Sequence, residues 1–340
     1  MKNVAVLGAG SWGTALASVL AENGNETRLY ARRLSAVQEI NTYHTNEHYL
    51  PKASLAPSLQ ASANLSEVIR RSDVVVFVVP SQALRETARQ VRPYLKPNSV
   101  IVHASKGLEV RTFKRMSQVL AEELPEHANQ IVALTGPSHA EEVIQKLPTA
   151  VVVASKDSHA AEIAQSCFMN SYFRVYTNTD VIGCEMGGAL KNVIALATGL
   201  CSGMEFGDNG IAALLTRGLA EMARLGFAMG AQPNTFVGLA GVGDLIATCT
   251  SPHSRNWRAG NMISQGKKLD QVLVEMGMVV EGVKTTEATY TMAKHYQVEM
   301  PITEQLYQVL FADKCPRKAL TDLMSRDKTH ELQDYVQGWS

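Results

Sequence analysis

Short, mostly unbroken apolar runs alternate with helical stretches through the first half of the chain. The runs are NVAVLG (3–8), ETRLYA (26–31), DVVVFVV (73–79), VIVHAS (100–105), IVALTG (131–136), AVVVAS (150–155) and FRVYTN (173–178). Continuous apolar character is what strands covered on both faces require, and their alternation with helices predicts a parallel sheet. From about residue 180 no comparable run follows. The chain reads instead as helices, among them VIGCEMGGALKNVIALATGL, GIAALLTRGLAEMARLGFAMG, NWRAGNMISQ, LDQVLVEMG, TTEATYTMAKHY and TEQLYQVLF. The pattern therefore predicts an α/β domain over 1–179 and an all-α domain over 180–340. No low-complexity linker marks the join, so the two are expected to share a packed interface with a cleft.

Composition narrows this picture. The 340 residues are 46% hydrophobic, enough for two domains with a substantial core. Lys plus Arg and Asp plus Glu are 32 each, so no nucleic-acid partner is advertised and any anion site must be local. Cys167, Cys184, Cys201, Cys249 and Cys315 form no CxxC pair and leave one over in any pairing, which points to a reducing cytoplasm. The N-terminus enters a strand within three residues, without the basic, apolar and small-residue order of a signal peptide. No run of about 18 apolar residues occurs, so neither export nor a membrane span is expected. Beyond a small-molecule ligand, the partner expected is at most a second copy of the chain in a homodimer.

The first strand leads into VLGAGSWGTALA, in which Gly8, Gly10 and Gly13 fit GxGxxG ahead of a helix. In that context the first glycine permits a tight turn, the second lets backbone approach a pyrophosphate, and the third allows close helix packing. The helix N-terminus adds N–H donors and partial positive charge for phosphates. The expectation is a Rossmann, doubly wound sheet holding NAD or NADP. After the second strand stand Arg32 and Arg33, where an NAD-selective site would place Asp or Glu. Two cations there suit a 2′-phosphate; the plainer reading is a solvated turn. HTNEH (44–48) matches the HxxEH pattern of zinc peptidases, but Leu50 and Pro51 cut off any helix, and no metal site is expected.

Other polar groups fall where strands end or where apolar helices are interrupted. Ser105, Lys106 and Gly107 follow the fourth strand; Gly136, Pro137 and Ser138 follow the fifth. Lys191 and Asn192 lie in an otherwise apolar helix. A lysine there can snorkel to solvent, but Gly187 and Gly188 one turn earlier leave room for something to approach. Asp244, Thr248, Ser254, Arg255 and Asn256 share a glycine-rich segment. Asp244 reads either as an N-cap or as a functional acid, and Ser254 to Asn256 as a phosphate site at a helix start.

VLGAGSWGTALA, ASKGLE, LTGPSHAEEV, GGALKNVIALATGL, GLAGVGDLIATCTSPHSRN and VVEGVKT follow one another between residues 6 and 285. In order and spacing they resemble the NAD(P)-dependent glycerol-3-phosphate dehydrogenases of bacteria. The resemblance implies a Rossmann domain followed by a helical domain, interconverting dihydroxyacetone phosphate and sn-glycerol 3-phosphate for phospholipid synthesis. It makes Lys191 the catalytic proton donor and acceptor. It implies substrate contacts at Lys106, Gly136, Ser138, Lys191, Asp244, Ser254, Arg255 and Asn256. For NAD or NADP it implies Gly8, Gly10, Ser11, Trp12, Gly13, Arg32, Arg33, Tyr49, Lys106, Ala140, Arg255, Val279 and Glu281. His139 departs from the more usual Phe, and Ala247 from a larger aliphatic. Two alternatives share parts of the pattern. A β-hydroxyacid dehydrogenase would oxidise carboxylates and need no SRN site, and a non-catalytic NADP sensor would leave Lys191 and Asp244 structural.

Overall fold

The computed structural model describes residues 1–277, 279–328 and 331. The chain divides into two compact units, Met1–Ser105 with Met116–Val181, and Lys106–Arg115 with Ile182–Ser340.

The first unit is built on one eight-stranded sheet in the order β3-β2-β1-β4-β5-β6-β7-β8. The strands are β1 Asn3–Leu7, β2 Glu26–Tyr30, β3 Gln60–Ser62, β4 Val74–Phe77, β5 Val100–His103, β6 Ile131–Thr135, β7 Thr149–Ala154 and β8 Phe173–Asn178. Two apolar clusters, one on Val4, Val6, Val74 and Val76 and one on Ala5, Leu7, Val75 and Phe77, match the unbroken runs that predicted strands covered on both faces. β1 pairs in parallel with both β2 and β4, so the chain order reverses at the carboxyl end of β1, the switch point where doubly wound sheets bind ligands.

Two features differ from the pattern read in the sequence. β3 is a three-residue, partly polar edge strand, too short to show a period. β7 runs antiparallel to β6, unlike the other pairings. Between them the chain holds only the four-residue helix Ala140–Val143, too little for the crossover a parallel return requires.

The second unit is helical. Its Val181–Gly203 helix is long and apolar enough to cross a membrane by length and composition, yet 94% of its most apolar window is buried inside the protein. Met186, Leu190, Val193, Ile194 and Leu196 from this helix join Phe236, Leu245 and Leu306 in one cluster. The units part at Val181/Ile182, two residues beyond the expected 179/180, and Lys106–Arg115 belongs to the helical unit. Leu108 and Phe113 pack into its core, and Arg115 pairs with the buried Glu185. The C-terminal end expected for the helical domain, residue 340, lies outside the described residues.

Candidate active site

The glycine turn follows β1 in the first unit. Gly8 has φ +117°, a left-handed conformation, and a Cβ there would lie 2.4 Å from the Val78 carbonyl oxygen. A Cβ on Gly13 would lie 1.8 Å from the Gly8 oxygen, so that glycine lets the helix close on the turn. Gly10 differs, because a Cβ there would meet nothing within 4 Å. The Ser11–Glu22 helix starts with no side-chain cap and no acid in its first turn, which leaves the positive end of its dipole uncompensated. The Trp12 indole Nε1 is buried without a partner among the described residues. An orphaned donor, an open glycine and an uncapped helix start together fit a dinucleotide pyrophosphate.

Ser11 Oγ donates to the Tyr49 carbonyl at 2.8 Å, and the Arg33 guanidinium lies 5.5 Å from the Tyr49 ring centroid. Arg32 and Arg33 are both exposed just beyond β2. The Leu34–Tyr43 helix ends at His44, which is left-handed, so the two histidines of HTNEH do not share a helical turn. In the same unit Gly136 has φ +124°, with a Cβ position only 3.0 Å from the Val151 Cα. Ser138 Oγ donates to the Gly136 carbonyl at 2.9 Å. Ala140 is buried at the head of its short helix, directly after the half-buried His139.

In the second unit three charged side chains converge. Lys191 Nζ donates to Asp244 Oδ1 at 2.5 Å and to Thr248 Oγ1 at 2.6 Å, while Lys106 Nζ donates to Asp244 Oδ2 at 3.0 Å. Asp244 is 1% exposed and Lys191 5%. Glycines make the approach. A Cβ on Gly187 would lie 2.2 Å from the Ala240 carbonyl oxygen, in the π-helical turn Leu239–Gly243 that leads into Asp244. What Gly187 admits is therefore the backbone that delivers Asp244, one turn below Lys191. Asp244 does not cap its helix, since its carboxylate is spent on two ammonium groups.

Burial pushes Lys191 down to about 8, with Lys106 assisting and Asp244 opposing. Asp244 is held below the usual carboxylate range because the attraction of Lys106 and Lys191 outweighs its burial. A buried pair of this kind is weak evidence for stability, since desolvation consumes much of its attraction. A lysine whose proton affinity is lowered toward neutrality is chemically able both to give and to take a proton.

Ser254 caps the Arg255–Ser264 helix, its Oγ accepting from Trp257 N at 3.2 Å, and Arg255 is exposed at the first position. Gly199 and Gly260 let this helix cross Val181–Gly203 with backbone contact, their Cβ positions 2.0 Å from the Trp257 and Leu196 carbonyl oxygens. Asn256 Nδ2 donates to Asn192 Oδ1 at 2.8 Å and its Oδ1 accepts from Gly282 N at 2.8 Å. It thus ties together three helices and, among the described residues, retains one N–H. Val279 is 47% exposed just before the Glu281–His295 helix, which Glu281 begins. Ala247 is half-buried beside Thr248 in sequence.

Of the expected site residues, Ser11, Tyr49 and Arg33 meet beside the glycine turn in the first unit and Lys106, Lys191 and Asp244 meet in the second, while Ser138 pairs locally with Gly136. Thr248 had drawn notice only as a polar residue, yet it holds Lys191; its i+4 spacing from Asp244 on a helix was the available signal. Asn46 was hidden inside HTNEH. It is buried against the glycine turn.

A doubly wound sheet with this turn, joined to a helical unit carrying a buried lysine and acid, defines a dinucleotide-dependent oxidoreductase. Comparison with known proteins makes the class specific. The NAD-dependent glycerol-3-phosphate dehydrogenase N-terminus matches residues 3–161 and the corresponding C-terminus residues 180–321. A glycerol-3-phosphate dehydrogenase [NAD(P)+] of Bacillus subtilis is 54% identical over 337 residues, covering 99% of this chain and 98% of its own. One of Enterococcus faecalis is 56% identical over 327 residues, covering 96% of each. The crystal structure of the Coxiella burnetii enzyme superposes with a TM-score of 0.90 at 37% identity, covering 96% of this chain and 99% of its own. The chain belongs to the NAD(P)-dependent glycerol-3-phosphate dehydrogenase family, and is an oxidoreductase that uses NAD(P).

Proposed function

We propose that Lys191 is the proton donor and acceptor as this dehydrogenase interconverts dihydroxyacetone phosphate and sn-glycerol 3-phosphate. The observation that carries the reading is the Asp244 carboxylate bridging Lys191 and Lys106 in a buried site. The nicotinamide, when bound, supplies the hydride that adds to the carbonyl carbon. The chain's own residues handle the proton and the charge. Two of the three Lys191 ammonium hydrogens go to Asp244 and Thr248 among the described residues, which leaves the third for the substrate oxygen. As hydride arrives, that oxygen takes the proton and Lys191 becomes neutral, a change its lowered proton affinity favours. A dry site strengthens this donation.

Lys106 and Lys191 against one Asp244 leave a net positive charge, suited to a phosphorylated substrate. Arg255, with the Ser254 hydroxyl and the last Asn256 N–H, supplies donors for the phosphate at a helix start. Gly136 and Ser138 are further substrate contacts that the family resemblance implies. For the cofactor, Gly8, Gly10, Ser11, Trp12 and Gly13 take the pyrophosphate, and Arg32, Arg33 and Tyr49 the adenosine end. Lys106, Ala140, Arg255, Val279 and Glu281 complete its contacts. Balanced charge supports a working form without nucleic acid, five free thiols a cytoplasmic setting, and its proposed assembly is a homodimer, which sedimentation equilibrium checks.

The test is Lys191→Ala. General acid–base catalysis contributes about 10²–10⁴-fold, so NADPH oxidation with dihydroxyacetone phosphate should fall by that factor while the Kd for NADPH stays within about twofold. Turnover within about tenfold of wild type would move the proton to another group.

A further inference from the structure

The connection after the Leu34–Tyr43 helix folds back over the glycine turn, and one side chain makes that contact. Asn46 is 1% exposed. Its Nδ2 donates to the Ala9 carbonyl at 3.2 Å and to Thr14 Oγ1 at 2.9 Å, using both amide hydrogens. Ala9 lies between Gly8 and Gly10, and Thr14 follows Gly13. The orientation is fixed chemically, because turning the amide over would set its oxygen against the Ala9 oxygen. Asn46 Oδ1 is then buried without a partner among the described residues. A buried acceptor left unsatisfied costs stability, so an amide here is a poor choice for folding alone. Its backbone carbonyl accepts from Tyr49 N at 3.0 Å and Leu50 N at 2.8 Å, and Ser11 Oγ closes the loop onto Tyr49.

We propose that Asn46 is a positioning residue for the cofactor: by holding the Ala9 carbonyl and the Thr14 hydroxyl, it keeps the Gly8–Gly10 turn in the form that receives the pyrophosphate. The inference rests on the assignment of that turn to the dinucleotide. The Ala9 carbonyl caught by the amide is held away from the phosphates, where a carbonyl oxygen would repel them. The Ser11 to Tyr49 bond links the same loop to the ring beneath Arg33, so the glycine turn and the adenosine end are set together.

The experiment measures NADPH affinity by fluorescence titration, with kcat and both KM values, for wild type, Asn46→Ala and Thr14→Val. Asn46→Ala should raise the Kd and the KM for NADPH by about tenfold, leaving kcat at saturating NADPH and the KM for dihydroxyacetone phosphate within about twofold. Thr14→Val, which removes only one of the two acceptors, should raise the Kd about threefold, and it keeps the test decisive if Asn46→Ala does not fold. A folded Asn46→Ala with a lowered Tm and an unchanged Kd would reduce Asn46 to a structural part and overturn the proposal. So would an unchanged Kd in Thr14→Val. Failure of wild type to bind either NADPH or NADH would instead overturn the assignment of the turn.

Discussion

Gly10→Ala should separate folding from cofactor binding. Gly10 has φ −78° and ψ −179°, extended backbone that alanine adopts freely, and the added Cβ meets nothing within 4 Å. Two small effects on stability oppose each other. Replacing glycine where the conformation is compatible stabilises by about 0.4–1 kcal/mol through the unfolded chain. Alanine is a worse N-cap than glycine by roughly 0.5–1 kcal/mol. The net effect is within about 1 kcal/mol, which moves the Tm by no more than about 3 °C in a chain of this size. Binding has no such compensation. The methyl would stand where the proposed pyrophosphate site needs close approach to the backbone, and loss of that approach should weaken NADPH at least tenfold, or about 1.4 kcal/mol. Gly13→Ala is the contrasting case, because its Cβ would sit 1.8 Å from the Gly8 oxygen and the helix start must shift. That variant should lose stability as well as affinity. Differential scanning calorimetry and fluorescence titration on both variants read the two quantities separately. A Gly10→Ala protein that binds NADPH within twofold of wild type would refute the placement of the pyrophosphate, and a Tm lowered by more than about 5 °C would refute the reading of the turn as open.

Three further outcomes follow from the charged groups. Lys191 sits at about 8, so the protonated donor is present below that pH: kcat/KM for reduction of dihydroxyacetone phosphate should fall as pH rises through about 8, and the reverse oxidation should rise; two flat profiles would exclude Lys191 as the titrating group. Arg32→Asp should move the ratio of kcat/KM for NADPH over NADH at least tenfold toward NADH, and an unmoved ratio means the exposed pair does not meet the 2′-phosphate. Glu221 accepts from Ile302 N at 2.6 Å and Thr303 N at 3.2 Å at the start of the Pro301–Phe311 helix, and burial pushes it up to about 7. Its folded form keeps a proton that the unfolded chain releases near 4.5, so its stabilising contribution is full below 4.5 and lost as pH rises through 7. Glu221→Gln should flatten the fall in stability across that window; urea denaturation at the two ends of it shows whether the slope persists.

Most strands were legible because they are unbroken apolar runs, a property that one residue after another states without reference to anything distant, while β2 and β8, ETRLY and FRVYTN, interrupt theirs with charged residues. β3 was not, since Gln60–Ser62 gains its place only from pairing with β2. Nor was the direction of β7, which depends on how little helix lies in the connection before it. The site divides in the same way. Lys191 stood out as a charge in an apolar helix, and Gly187 as a gap beside it, but a gap does not name what fills it. The structure fills it with the Ala240 carbonyl, so the glycine's task is to bring Asp244 to the lysine rather than to admit a ligand. Lys106 is the sharper instance. By its position in the chain it follows a strand of the sheet, yet it joins the helical unit, because Leu108 and Phe113 carry the segment into that core. Residue types that bear chemistry announce themselves singly, since an apolar setting makes each one costly to bury. Their pairing is set by close backbone approaches at Gly187, Gly199 and Gly260, and glycine signals only that room exists. Asn46 shows the limit of that reasoning. Its amide supports a turn 32 to 37 residues earlier, and the pattern around it, HTNEH, drew attention to its histidines and glutamate instead.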